Sequence, residues 1–270
     1  MEEKQIRKFR NMIFNWWVLN KRDLPWRRTR DPYKILLSEV MLQQTQVLRV
    51  IPKYAEFIEA YPTVDSLAKA STTDVLKIWR GMGYNRRALY LKKAAQKIVD
   101  AYNGEFPESE KELVTLPGLG TYTARAILVF AFGQDIAAVD TNIRQIITHF
   151  FFRDIAQKPS AIQEVADRLV PSAESWEWHQ ALMDYGALEL PKHKRPERSR
   201  RTSQPFKETN RFYRGRVIDV LREGDVREFV LLKEFQEQFH KPAEFFILII
   251  DGLVKDGLVE RKKKMLRLPD

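Results

Sequence analysis

Apolar positions recur at helical spacing through most of the first 190 residues. Ile35, Leu36, Val40, Leu42 and Val47 form one such face, and Leu89, Leu91, Ala94, Ala95 and Ile98 form another. Steps of three and four residues predict amphipathic helices. The pattern breaks at Pro62-Thr63, Gly81-Met82-Gly83, Gly104 to Pro107, Pro117 to Gly120, Gly133-Gln134-Asp135 and Pro171-Ser172, where turn-forming residues gather. Asp65 and Thr72 are predicted as N-caps of short helices. No segment alternates as a strand does, so residues 1–190 are predicted to be all-α. Trp16, Trp17, Trp79, Trp176 and Trp178 are expected in the core. Trp26, between Pro25 and Arg27, is expected outside it.

The periodicity is lost over residues 191–209. Lys192, Lys194, Arg195, Arg198, Arg200, Arg201 and Lys207 stand there against Glu197 and Glu208, with almost no apolar residue before Phe206. This stretch reads as a basic linker. Periodicity resumes over residues 210–270. Helices fit Arg211–Arg222, Leu231–Phe239 and Pro242–Asp256. Leu258-Val259-Glu260 and Met265 to Leu268 can pair as a hairpin around Arg261-Lys262-Lys263-Lys264. Three helices and a basic hairpin predict a small winged-helix-like domain.

Composition narrows the function. The 270 residues are 44% hydrophobic, ordinary for a chain with a real core, and carry a net charge of +10. Residues 1–190 hold +3 of that charge and residues 191–270 hold +7. A basic excess in the smaller part fits a grip on a polyanion, with nucleic acid ahead of anionic membrane. The chain has no cysteine, which excludes disulfides, thiol catalysis and thiolate-held zinc or iron–sulfur clusters. Its four histidines are scattered, with no metal-ligand spacing. The charged N-terminus leads into an amphipathic stretch unlike a signal peptide, and no apolar run approaches the ~20 residues that span a bilayer. A cytoplasmic, nucleoid-associated location follows as an expectation.

Several residues carry candidate chemistry. Leu116-Pro117-Gly118-Leu119-Gly120 is a turn between helices with two glycines. Gly118 and Gly120 let the backbone turn tightly and let a phosphate oxygen approach without a Cβ in the way, and Thr121 and Thr123 add hydroxyls. The alternative is a plain helix–helix turn. Asp140 stands just before a predicted helix at Thr141. It is either a structural N-cap or an ionised acid able to stabilise an oxocarbenium-like sugar cation, and the two roles are compatible. Glu39 interrupts the apolar string from Leu36 to Leu42. A buried carboxylate there takes up its proton and becomes a general acid, whereas a solvated one is inert. Gln43-Gln44-Thr45-Gln46 follows on the same predicted helix, and its amides either read base edges or solvate a helix end. Gly81-Met82-Gly83-Tyr84 displays an aromatic suited to wedge between bases, unless Tyr84 is core.

Together these strings resemble the helix-hairpin-helix (HhH-GPD) DNA glycosylase superfamily, and within it the MutY-type adenine DNA glycosylases. The resemblance rests on Arg22 to Arg27, Ser38 to Val47, Gly83-Tyr84, Leu116 to Ala124 and Val139 to Asn142, in family order. The Glu39 to Thr45 string is the part that points to adenine. The resemblance implies a two-lobed helical glycosylase domain over residues 1–190. Glu39 is implied as the acid that protonates N7 of a flipped adenine, Asp140 as the partner of the sugar cation, and Asn142 as the residue that orients the acids. Tyr122 stands where bifunctional relatives carry a Schiff-base lysine, which implies a monofunctional enzyme. Gln43, Gln44 and Tyr84 are implied as probes of the opposite base, and Arg22, Trp26, Arg27 and Asp184 as the adenine pocket.

Two departures from the family are visible. Its four cluster cysteines would fall here on Leu190, Glu197, Arg200 and Phe206, so no cofactor is expected. Its C-terminal pyrophosphohydrolase-like domain, which recognises 8-oxoguanine, exceeds the sixty residues present here. The implied activity is excision of adenine opposite 8-oxoguanine or guanine, by a monomer acting on mismatched double-stranded DNA. Two alternatives stand beside it. One is a thymine/uracil glycosylase acting opposite guanine. The other is a DNA-binding module without catalysis.

Overall fold

A computed structural model describes residues 2–190 and 205–270. The first helices are α1 (Glu3–Asn20), α2 (Pro32–Leu42), α3 (Val47–Ala60), α4 (Val64–Lys69), α5 (Thr72–Ile78) and α6 (Arg86–Tyr102). They are followed by α7 (Glu110–Leu113), α8 (Thr121–Phe130), α9 (Thr141–Phe152), α10 (Pro159–Leu169) and α11 (Ser175–Leu188). The C-terminal segment holds α12 (Asn210–Glu223), β1 (Val226–Arg227), α13 (Glu228–Phe239), α14 (Ala243–Lys255), β2 (Glu260–Lys262) and β3 (Met265–Arg267).

These elements form two units interleaved along the chain. The first joins the segment ending at Glu39 to the segment beginning at Phe106. The second joins Val40–Glu105 to the C-terminal segment ending at Asp270. The first unit is built on α1, α9, α10 and α11. Ile6, Phe9, Ile13, Ile143, Ile146 and Trp178 meet in one buried cluster, and removing such side chains from water is the main force holding it. Phe9 packs edge-on against Phe151 and Trp178.

In the second unit α6 packs on α4 and α5, and α12 packs on α14 and α5. Arg222 of α12 is buried there. It donates to the Leu76 carbonyl at 2.9 Å and the Asn85 side-chain oxygen at 3.1 Å, which ties the C-terminal helices to α5 and the α6 N-terminus. The strands form a three-stranded antiparallel sheet in the order β1-β3-β2, with Leu266 opposite both Val226 and Arg261. The three C-terminal helices fall where the periodicity placed them, whereas the first hairpin strand runs over Glu260–Lys262, two residues later than expected, with the turn at Lys263-Lys264. The two-residue strand β1 is too short to show alternation.

Four local expectations are corrected. The α4 and α5 caps are Thr63 and Ser71, not Asp65 and Thr72. Thr63 and Ser66 form a reciprocal capping box, and Ser71 accepts from the Asp74 N–H. Gln43 to Gln46 do not continue α2; they form a turn, with Gln44 at φ 54° and Gln46 immediately before α3, its side chain making no cap bond. Trp26 is buried despite its neighbours, because a short 3-10 turn over Pro25–Arg27 rolls the indole inward. Thr123, read as a phosphate contact, is buried on the inner face of α8. Residues 191–204 of the basic linker, with Glu197 and Arg200, lie outside the described residues.

Candidate active site

Glu39 sits in the last turn of α2. Asp31 starts that helix, accepting from the Tyr33 N–H at 2.9 Å. Its flanks, Leu36, Leu37, Val40 and Met41, are buried, and Glu39 is 8% exposed. Burial pushes its carboxyl up to about 7, a hydrogen bond from Tyr122 opposes the rise, and the nearby Asp140 charge adds to it. Tyr122 lies on α8 and is itself driven well above the ordinary phenol range by burial and by both carboxylates, so it stays a donor.

Asp140 caps α9. Its Oδ1 accepts from the Ile143 N–H at 2.7 Å, and the Asn142 amide donates to Oδ2 at 3.1 Å. Burial raises the Asp140 carboxyl, while the Ile143 and Asn142 donors hold it down. The helix start therefore acts as expected of an N-cap, but desolvation outweighs it. Glu39, Tyr122, Asp140 and Asn142, read from separated strings, thus belong to one electrostatic cluster.

Two further residues hold this cluster in place, and neither was singled out for that role in the sequence. His179 on α11 accepts from the Ala138 N–H at 2.9 Å through Nε2 and donates to the Ser175 carbonyl at 2.6 Å. Burial pushes its imidazole down to about 4, so the neutral ring pins the backbone leading into Asp140. Gly186 lets α11 lie against α9. A Cβ there would come within 2.6 Å of Asn142 Cβ. A lone glycine inside a helix is the available signal for such close approach.

The carboxylate of Asp184 is fully buried and committed. It accepts from Trp17 Nε1 at 2.9 Å, from Arg22 Nε at 2.6 Å and from both terminal nitrogens of Arg27 at 2.7 and 2.8 Å. Burial alone would raise its carboxyl, but the Arg27 and Arg22 contacts overcome that and hold it below the usual range. Asp184 therefore orients Arg22 and Arg27. In the Leu116 to Gly120 turn, Gly118 has φ 80°, which requires glycine. Gly120 precedes α8 and supplies no capping side chain, and a Cβ on it would meet nothing. The first N–H groups of α8 are left for an outside acceptor, with exposed Thr121 beside them.

In the second unit, Arg87 of α6 is buried without a carboxylate partner among the described residues. Its guanidinium donates to the carbonyls of Val40, Met41 and Gln43 at 2.8, 2.9 and 2.6 Å, and to those of Met82 and Gly83 at 3.0 and 3.2 Å. It thereby terminates α2, shapes the Gln43–Gln44 turn and fixes the Gly83–Tyr84 turn. Desolvation lowers it to about 10, still charged at neutral pH. Among the described residues no group of histidines and acids is arranged to hold a metal ion. No described helix is long and apolar enough to cross a membrane.

Residues 37–172 match the family model described as HhH-GPD superfamily base excision DNA repair protein. The chain is 34% identical to an adenine DNA glycosylase of Mycolicibacterium smegmatis, over 92% of both chains. It is 37% identical to the adenine DNA glycosylase of Buchnera aphidicola over 67% of this chain, and spans 52% of that relative. It is also 33% identical to a thymine/uracil-DNA glycosylase of Methanothermobacter thermautotrophicus, over 68% of this chain and 86% of that protein. Among solved structures, a thermostable thymine-DNA glycosylase superposes with a TM-score of 0.65 at 33% identity, over 68% of this chain and 87% of that one. The chain belongs to the HhH-GPD superfamily of base excision DNA repair proteins.

Proposed function

We propose that this chain is a monofunctional DNA N-glycosylase that removes adenine opposite guanine or 8-oxoguanine, working as a monomer on mismatched duplex DNA in the nucleoid. The observation that carries the reading is the carboxyl of Glu39, buried, raised to about 7 and hydrogen-bonded by Tyr122 beside Asp140. A group that ionises near neutrality holds a proton ready to give and is a competent general acid. The DNA backbone is held on the Gly118–Gly120 turn and the flipped adenine rests near Arg22, Trp26 and Arg27. Glu39 protonates its N7, the glycosidic bond breaks, Asp140 stabilises the sugar cation, and water adds to the anomeric carbon as its released proton returns to the Glu39 carboxylate. Asn142 orients Asp140. Tyr122 has no amine to form a Schiff base, so the product strand keeps an intact abasic site. Gln43, Gln44 and Tyr84 probe the opposite base. The C-terminal helices and hairpin are read as a winged-helix module that grips phosphates.

Support for adenine comes from the curated relatives named for it, one of them similar along 92% of this chain. The likeness to thymine/uracil and thymine glycosylases favours a second reading, excision of a pyrimidine opposite guanine. A single-turnover assay on labelled duplexes carrying A opposite 8-oxoguanine, A opposite G, T opposite G and U opposite G separates the two. Alkali-dependent cleavage of the A strands alone is the expected result. Cleavage of T or U strands instead replaces the first reading with the second. Glu39→Gln is expected to abolish excision while duplex binding persists, and substantial activity in that variant removes Glu39 from its role.

A further inference from the structure

The turn carrying Tyr84 is built for display. Gly81 and Gly83 have φ of 86° and 67°, and Tyr84 itself is left-handed at 47°. A Cβ on either glycine would meet nothing, so they serve the backbone path, not packing. Tyrosine pays a steric cost in that region and stays there only when its surroundings fix it. They do: Trp79 Nε1 donates to the Gly83 carbonyl at 3.1 Å, and Arg87 takes the Met82 and Gly83 carbonyls.

A second cation sits on this ring from the C-terminal segment of the same unit. The Arg211 guanidinium lies 4.2 Å from the Tyr84 ring centroid and 4.9 Å from that of Phe206, and it donates to the Tyr84 hydroxyl. Both Arg211 and Phe206 are exposed. Local electrostatics disfavours this placement. Arg211 lies in the first turn of α12, capped by Thr209, where a cation opposes the helix dipole. Its charge also works against that of Arg87. Among the described residues no carboxylate pairs with it. Stacking on Tyr84 and Phe206, and not an ion pair, therefore holds the arginine here. Its stacked plane fixes the direction of the fork, and only part of its N–H set is spent on Tyr84.

We propose that Arg211, stacked between Tyr84 and Phe206, is a specificity-determining residue that reads the base opposite the excised one by donating to the paired acceptors O6 and N7 of guanine, which selects guanine over 8-oxoguanine, whose N7 carries a hydrogen. A guanidinium fork matches that acceptor pair in a way no pyrimidine edge does. The proposal rests on the reading of Tyr84 as an opposite-base probe and gives the C-terminal segment a part in substrate choice.

Equilibrium binding tests it without requiring excision. The probes are duplexes with a tetrahydrofuran abasic analogue opposite guanine, 7-deazaguanine, which lacks the N7 acceptor, or cytosine. The intact chain is expected to bind opposite guanine about tenfold tighter than opposite 7-deazaguanine. Arg211→Ala and Arg211→Lys are both expected to bring that ratio close to one, since lysine keeps the charge but not the fork. Affinity opposite cytosine should fall less in Arg211→Ala than affinity opposite guanine. Three results overturn the proposal: equal binding by the intact chain to guanine and 7-deazaguanine, a ratio retained in Arg211→Lys, or an equal loss in Arg211→Ala on all three duplexes, which would mark a phosphate or purely structural contact. Failure to excise adenine overturns the catalytic reading instead, because the binding ratio is measured independently of it.

Discussion

At the scale of single residues, the chemistry rests on where Glu39 loses its proton. Its carboxyl titrates at about 7 because burial outweighs the Tyr122 hydrogen bond. Excision that needs the protonated acid should be flat below about pH 7 and fall about tenfold per unit above it. Tyr122→Phe removes the donor that favours the ionised form, so the inflection should move to higher pH in a single-turnover profile. The same shift has a stability consequence. A carboxyl raised from 4.5 to about 7 destabilises the fold as pH rises through that window, because the unfolded chain ionises first. Glu39→Gln should therefore be more stable than the native chain above pH 7, by at most about 3 kcal/mol. Thermal melts should show the gap closing below pH 4.5. Glu39 was visible in the sequence as a break in an apolar string. Its depth was not, because an acid on the solvent face of α2 interrupts the string equally well.

At the scale of elements, close packing and helix ends position the chemistry. Gly186 lets α11 approach α9 at Asn142. Gly186→Ala is expected to cost about 1–3 kcal/mol by overpacking. It should also slow excision by roughly tenfold or more as Asp140 and Asn142 shift, and measuring melting and single-turnover rate together tests both. Arg87 joins the end of α2 to the two turns bearing Gln44 and Tyr84. Arg87→Met leaves several buried carbonyls without a donor and should lose at least about 3 kcal/mol in denaturant unfolding. The glycine turns and the α9 cap were legible because φ and capping chemistry are local. The end of α2 was not. Apolar spacing runs on through Val47, and what stops the helix is a guanidinium far along the chain at Arg87.

At the scale of the molecule, most of the excess positive charge lies in residues 191–270, and within their last part Lys262, Lys263 and Lys264 are exposed at the hairpin turn. Removing the whole segment would uncover the face of α5 on which α12 packs and leave the Leu76 carbonyl and the Asn85 side chain without their Arg222 donor, so charge is the cleaner variable. Replacing the three lysines with alanine should weaken duplex binding at low salt. It should also make the slope of log affinity against log salt shallower by about one to two units. An unchanged slope would move the phosphate grip elsewhere. The sequence by itself determined the helical class, the absence of thiolate-held metal, the order of the glycosylase strings and the identity of the candidate acids. These depend on composition, short-range periodicity and motif spacing, all carried by neighbouring residues. Only the tertiary structure decided that Glu39 titrates near neutrality, that Asp184 is spent on Arg22 and Arg27, that Val40–Glu105 and the C-terminal helices form one unit, and that Arg211 stacks on Tyr84. Those outcomes depend on desolvation and on contacts between residues distant in the chain, which no local pattern records.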